Sequence, residues 1–211
     1  MSEGALNKKE RTGFYTFARG VAWLLTHTVY PLKIIGGERL NALEAPYILI
    51  ANHDSGMDPI AVAYAVKKHE IRFIAKKELM KGRLAQFLFG RLLHAIAVDR
   101  HASDMMAMRS ALKVLKEGHV LGIFPEGTRY KEGLMNELEG GVAILALRGN
   151  VPIMPVYLTP KLRPFHVTRL IVGEKMGISD LVQQGIDKSV CDALLERITQ
   201  TYEAFHAQYA K

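Results

Sequence analysis

The sequence predicts an α/β domain with a mostly parallel central sheet flanked by helices. Short apolar runs of strand length, rich in valine and isoleucine, alternate with longer stretches of helical period from residue 32 to the carboxyl end. Turn and cap signals fall between them: Gly36-Gly37, Asp58-Pro59, Gly118 and Gly149-Asn150. No internal repeat, low-complexity tract or linker interrupts the pattern. The 211 residues suffice for one domain with a sizeable core, and 49% hydrophobic content sets the chain apart from disordered sequences.

Residues up to Arg11 are polar. From Phe14 to Leu32, the apolar residues Phe14, Phe17, Ala18, Val21, Trp23, Leu24, Leu25 and Val29 recur at spacings that give a broad helical face. Arg19, Thr26, His27 and Thr28 interrupt it, so it is a poor spanning helix, and no small-residue cleavage site follows. Leu32–Ile35 reads as a strand ended by Gly36-Gly37, and Tyr47–Ala51 as a second, apolar throughout. Asp58-Pro59 reads as a helix start, with Asp58 as N-cap and Pro59 at the first helical position. Ile71–Ala75 is a strand, Leu84–Leu93 a short helix and Ala95–Val98 a strand. Ser103 caps a helix through Lys116, with Met105, Met108, Leu112 and Leu115 on one side. Val120–Phe124 is a strand, Val142–Leu147 belongs to a helix, and Ile153–Tyr157 and Thr168–Val172 are strands. Pro152 and Pro155 shape the start of the first of these two. Ser189–Tyr209 is a final amphipathic helix, with the lone cysteine, Cys191, as a structural residue within it.

The formal net charge of +7 calls for an anionic partner. Nothing resembles a zinc finger or a ribonucleoprotein signature and the aromatic share is 8%, so nucleic acid ranks last and a membrane surface or phosphorylated substrate first. No metal site is indicated. One cysteine permits no intrachain disulfide.

The chemistry-bearing stretch is Asn52-His53-Asp54-Ser55-Gly56-Met57-Asp58-Pro59. It lies between a buried strand and a helix start, where open α/β sheets bind ligands. His53 and Asp58, five apart, would lie about 140° apart on one helix and face each other only if a turn folds between them. Asp54-Ser55-Gly56 has turn composition. A carboxylate on one ring nitrogen would fix the tautomer and leave the other nitrogen to act as base. The bland alternatives are an inert loop histidine and a simple helix cap.

Together with Ile123-Phe124-Pro125-Glu126-Gly127-Thr128-Arg129, this His-x₄-Asp stretch resembles the glycerolipid acyltransferases, specifically the bacterial 1-acylglycerol-3-phosphate acyltransferases of PlsC type. The likeness runs from Gly37-Glu38 to Val156 and includes Ala95-Ile96-Ala97-Val98-Asp99-Arg100 and Val151-Pro152-Ile153-Met154-Pro155-Val156. It implies transfer of an acyl group from acyl-CoA or acyl carrier protein to lysophosphatidate, with no cofactor and without a covalent acyl-enzyme. His53 is then the base and Asp58 its orienter. Arg100 and Arg129 would hold the acceptor phosphate, with Lys76 a third cation. Glu126 would either orient Arg129 or bind the glycerol hydroxyls, Thr128 belongs to the same binding block, and the Gly127 N–H is a candidate donor to the oxyanion. Ser55 is no nucleophile by this pattern, and the chain holds no G-x-S-x-G elbow.

A lipid acceptor favours reading residues 1–32 as an interfacial segment, with Trp23 and Arg19 at headgroup level, over a helix merely packed on the domain. Residues 33–211 would form the acyltransferase domain. The expected location is the cytoplasmic face of the cell membrane, peripheral or monotopic, against an anionic surface. The chain departs from the family pattern at His94 and Ala97, and at Leu138-Glu139 before Gly140. Another lysolipid acceptor, a thioesterase or lipid hydrolase, and a non-catalytic membrane-surface protein are the alternative readings.

Overall fold

The computed structural model describes residues 13–76, 96–98, 104–125 and 140–210, of which 13–19, 75–76, 96–98 and 104 are described by backbone alone. In order, the elements are α1 (Gly13–Thr28), β1 (Leu32–Ile35), α2 (Gly37–Ala42), β2 (Tyr47–Ala51), α3 (Asp58–Ala65), β3 (Ile71–Lys76) and β4 (Ile96–Val98). They continue with α4 (Asp104–Lys116), β5 (Val120–Ile123), α5 (Gly141–Gly149), β6 (Ile153–Thr159), β7 (Thr168–Val172), α6 (Ser179–Val182) and α7 (Lys188–Tyr209). The seven strands form one sheet in the order β1-β7-β6-β2-β5-β3-β4. Every pairing is parallel except β6 with β7. The expected mostly parallel α/β architecture is the one observed.

Alternation along β2 explains the layering. Ile48 and Ile50 point into a core with Val114 and Leu115 of α4, Leu145 and Ala146 of α5, and Leu194 and Ile198 of α7. Tyr47, Leu49 and Ala51 point into the opposite core with Leu40 of α2 and Ala61, Val62 and Ala65 of α3. Both β2 and β6 are buried along their full length, as expected for central strands covered on both faces. Helix α1 packs over α3, where the His27 and Tyr64 rings meet edge to face at 6.1 Å.

Local differences from the sequence expectations have physical causes. Asp58 is the first residue of α3, not its cap. Met57 occupies the cap position, and its carbonyl accepts the Ile60 and Ala61 N–H groups that a side-chain cap would have competed for. Pro155 lies inside β6 rather than at its start. The Ile48 N–H bonds Pro152 O at 3.0 Å, and Gly173 N–H bonds Pro155 O at 2.9 Å, so alternate residues of β6 face alternate neighbours. The ring nitrogen of Pro155 therefore points away from β2, and the central ladder loses no donor. Two short helices, α2 and α6, were not expected from the pattern; at six and four residues each is too short for a period to register. Gly36, at φ +75°, makes the turn out of β1 where a Cβ would lie 2.7 Å from Val172 O. Asp187 caps α7, accepting Val190 N–H at 2.9 Å. The expected helix Leu84–Leu93 and the cap Ser103 lie outside the described residues.

Candidate active site

The parallel strands β6, β2, β5, β3 and β4 all end at the same edge of the sheet. The loop from Asn52 to Met57 leaves β2 at that edge. Its first residue extends the sheet by side chain. With β2 finished at Ala51, Leu158 of β6 has no backbone neighbour on the β2 side. The Asn52 amide takes its place: Leu158 N–H donates to Oδ1 at 2.8 Å, and Nδ2 donates to Leu158 O at 3.0 Å. A buried carboxamide can stand in for a peptide group because it offers the same donor and acceptor. On the other face, the Tyr202 hydroxyl of α7 bridges Ile50 O and Val156 O at 2.8 and 3.0 Å. The root of the loop is thus clamped from both sides.

The chain then turns so that Asp58 faces back along the loop. Its Oδ2 accepts three hydrogen bonds: from Asp54 N–H at 2.8 Å, Ser55 N–H at 2.7 Å, and His53 Nδ1 at 3.1 Å. A carboxylate with 1% exposure needs such partners. Since an ionised carboxylate only accepts, the proton between the two side chains sits on Nδ1, and Nε2 is the basic nitrogen. The turn that brings residues five apart together is the one expected of Asp54-Ser55-Gly56. Ser55 is occupied in it, its Oγ accepting Met57 N–H at 3.3 Å.

The imidazole rests on an aromatic platform. His53 lies against Phe124 with ring centroids 4.4 Å apart, and Phe124 stacks on Phe73 at 5.7 Å and 10° between planes. Phe73 is registered opposite Gly122. A Cβ there would come within 2.5 Å of the Phe73 ring. Glycine in the middle of β5 makes room for the ring that supports the ring beneath the histidine. One residue along, Asp54 has its carboxyl pushed up from the ordinary range by burial first and by the Asp58 charge second, against smaller lowering effects from Asn52, Lys161 and His53.

The structure brings His53 and Asp58 together. Of the other residues expected at the site, Lys76 ends β3 at the same edge, described by its backbone alone. Arg100, Glu126, Gly127, Thr128 and Arg129 lie outside the described residues. Asn52, Phe73, Phe124, Gly122 and Tyr202 were given no role from sequence. A glycine inside an otherwise apolar strand is the one signal among them. Cys191, on α7, is partly buried against the core, and burial followed by the charges of Asp192 and Asp187 holds its thiol above the ordinary range. Among the described residues no group of three or more His, Cys, Asp or Glu side chains could hold a metal ion, and no helix is long and apolar enough to cross a membrane.

A carboxylate-held histidine thus sits on a loop at the carboxyl edge of a sheet covered by helices on both faces, the edge at which open α/β sheets bind ligands. The acyltransferase family profile matches residues 31–159, which include this loop, and the chain belongs to the acyltransferase family. It is 33% identical over 178 residues to the 1-acyl-sn-glycerol-3-phosphate acyltransferase of Streptococcus pneumoniae, covering 82% of this chain and 64% of that protein. It is 30% identical over 155 residues to the protein of the same name from Bacillus subtilis, covering 71% and 75%. Against the Limnanthes douglasii protein of that name it is 34% identical and spans 45% of the longer chain. The chain thus spans under two thirds of the Streptococcus protein and under half of the plant one. The crystal structure of the 1-acyl-sn-glycerophosphate acyltransferase PlsC from Thermotoga maritima superposes with a TM-score of 0.66 at 24% identity, covering 94% of this chain and 80% of that one, a likeness of fold.

Proposed function

We propose that this protein is a 1-acylglycerol-3-phosphate O-acyltransferase, moving a fatty acyl group from acyl-CoA or acyl carrier protein to lysophosphatidate and so forming phosphatidic acid. The observation that carries the reading is the 3.1 Å His53–Asp58 contact at the carboxyl edge of the sheet, in a chain of the acyltransferase family. Relatives bearing the enzyme's name support the choice of acceptor.

In this mechanism His53 Nε2 takes the proton from the acceptor hydroxyl as its oxygen attacks the thioester carbonyl. Asp58 holds the tautomer and stabilises the imidazolium. The carbon–sulfur bond then breaks, and the thiolate leaves with the proton that His53 returns. The thioester is already activated, so no acyl-enzyme intervenes. Arg100 and Arg129 clamp the acceptor phosphate, since guanidinium groups bind it through paired N–H donors; Lys76 is a third cation. Glu126 orients Arg129 or binds glycerol hydroxyls, Thr128 lines the same block, and the Gly127 N–H stabilises the oxyanion. In sequence Lys76 ends β3 and the others follow β4 and β5, strands that meet the dyad edge, and that placement supports their roles.

The enzyme sits on the cytoplasmic face of the cell membrane as a peripheral or monotopic protein, with residues 1–32 as its interfacial segment and 33–211 as the catalytic domain. Support comes from α1, where Ala22 and Thr26 are buried while Val21, Trp23 and Leu24 face outward. The test of the activity is thiol release from an acyl thioester with and without lysophosphatidate. Transfer requires the acceptor and yields one phosphatidate per thiol. Equal release without acceptor would mean a hydrolase instead.

A further inference from the structure

The loop between β6 and β7, residues 160–167, is a tip with no assigned task. Phe165 is 76% exposed and Val167 58%, whereas Leu162 beneath them is buried in the α3-side core. Phe165 also holds φ at +61°, a conformation that bulky L-residues rarely adopt and that Gly or Asn takes readily. A large apolar side chain is displayed here at the expense of local geometry. Around it stand Lys161, Arg163 and His166, all exposed. Arg163 has no ion-pair partner among the described residues, and the charge of Lys161 reaches Asp54 of the dyad loop.

Topology sets this tip beside both the site and α1. The loop leaves β6 after Thr159, one residue past Leu158, which Asn52 clamps. It returns into β7, whose first residue is registered with Leu32 of β1. Phe165 N–H bonds Val29 O at 2.6 Å and Thr168 N–H bonds Pro31 O at 2.9 Å, tying the loop to the chain just after α1. The chain just after α1, the basic apolar loop and the His53 loop therefore lie at one edge of the sheet, and α1, with Trp23 and Leu24 exposed, leads into it.

We propose that residues 160–167 form a second membrane-contact element beside α1, seating Phe165 and Val167 at the acyl-chain boundary of an anionic bilayer, with Lys161 and Arg163 on lipid phosphates. An apolar tip ringed by cations suits an interface that is apolar below and anionic above, and a protruding tip offers no groove for a folded partner. With this contact beside it, the dyad loop would be held toward the lipid surface. The proposal rests on the membrane reading of α1, and its test separates the two.

Trp23 is the one tryptophan, so wild-type fluorescence reports α1. The double variant Trp23→Phe, Phe165→Trp reports the loop. Phosphatidylcholine vesicles with and without phosphatidylglycerol, carrying brominated chains, are the probe. The emission of the loop reporter is expected to shift to the blue and be quenched on the anionic vesicles, and Lys161→Gln with Arg163→Gln to diminish both effects. Phe165→Asn, which suits the positive φ, should weaken vesicle affinity roughly tenfold or more with a melting temperature no lower than wild type. A loop reporter that keeps its water emission while Trp23 shifts overturns the loop proposal and leaves α1 standing. Silence from both overturns the membrane reading and this proposal with it.

Discussion

At Asp58 one carboxylate oxygen serves three donors, two of them backbone N–H groups of the loop it follows. The residue therefore shapes the loop as well as holding the imidazole. Asp58→Asn separates the two tasks. An amide oxygen can keep both backbone bonds but carries no charge to stabilise an imidazolium. Turnover should fall roughly 10²–10⁴-fold, while stability drops by only about 1 kcal/mol, the charge-assisted share of the bonds. Paired kinetics and urea denaturation would check this, and full activity in the variant would reduce Asp58 to a loop residue. Asp54 gives a prediction of opposite kind. Its folded pKa is raised by burial and the Asp58 charge over the ordinary 3.8. The folded chain thus binds the proton more tightly than the unfolded chain, and stability is lost as pH rises through the interval above 3.8. Asp54→Asn removes that loss. Its stability gain over the wild type should grow from pH 4 upward and level off once Asp54 is ionised in the folded chain too. A gain that shrinks with rising pH would contradict the assignment.

Among the elements, β2 and β5 aim the histidine, one through the Asn52 clamp and the other through the aromatic platform. Gly122→Ala tests the second. The added methyl would press on the Phe73 ring at 2.5 Å, and overpacking of this kind costs about 1–3 kcal/mol. Melting temperature and turnover should both fall, since Phe73 supports Phe124 and Phe124 meets His53. Phe73→Leu in the same chain should restore the melting temperature by vacating the space. An unaltered melting temperature in the single variant would mean the ring moves aside freely. These supports mark the limit of what sequence discloses. The dyad was legible because its two members lie five residues apart and need only a turn. The strands are legible from apolar runs and the longer helices from their period, whereas the short helices α2 and α6 are not. The Asn52–Leu158 pair spans 106 residues, and Gly122 meets Phe73 only because β5 lies beside β3. Both depend on strand order, which apolar runs do not encode. The sequence offers Asp58 both as cap and as partner of His53, because the same residue type serves at a helix end or as a loop acceptor; the direction of its side chain decides for the second.

Over the whole molecule, stability and chemistry occupy separate places. The two cores lie on opposite faces of the sheet and contain Tyr47, Leu49 and Leu170 on one side and Ile48, Leu121 and Leu194 on the other. His53 belongs to neither; it sits partly exposed where the parallel strands end. The arrangement leaves the His53–Asp58 pair at the edge of the sheet while the interior holds the fold. His53 can therefore be replaced without opening a cavity in either core. The most direct measurement is phosphatidate formation by His53→Gln, read by mass from an acyl thioester and lysophosphatidate, beside the melting temperature of the same preparation. The account predicts turnover lower by roughly 10²–10⁴-fold with melting close to wild type. Wild-type turnover in that variant would remove His53 from the chemistry and contradict the account.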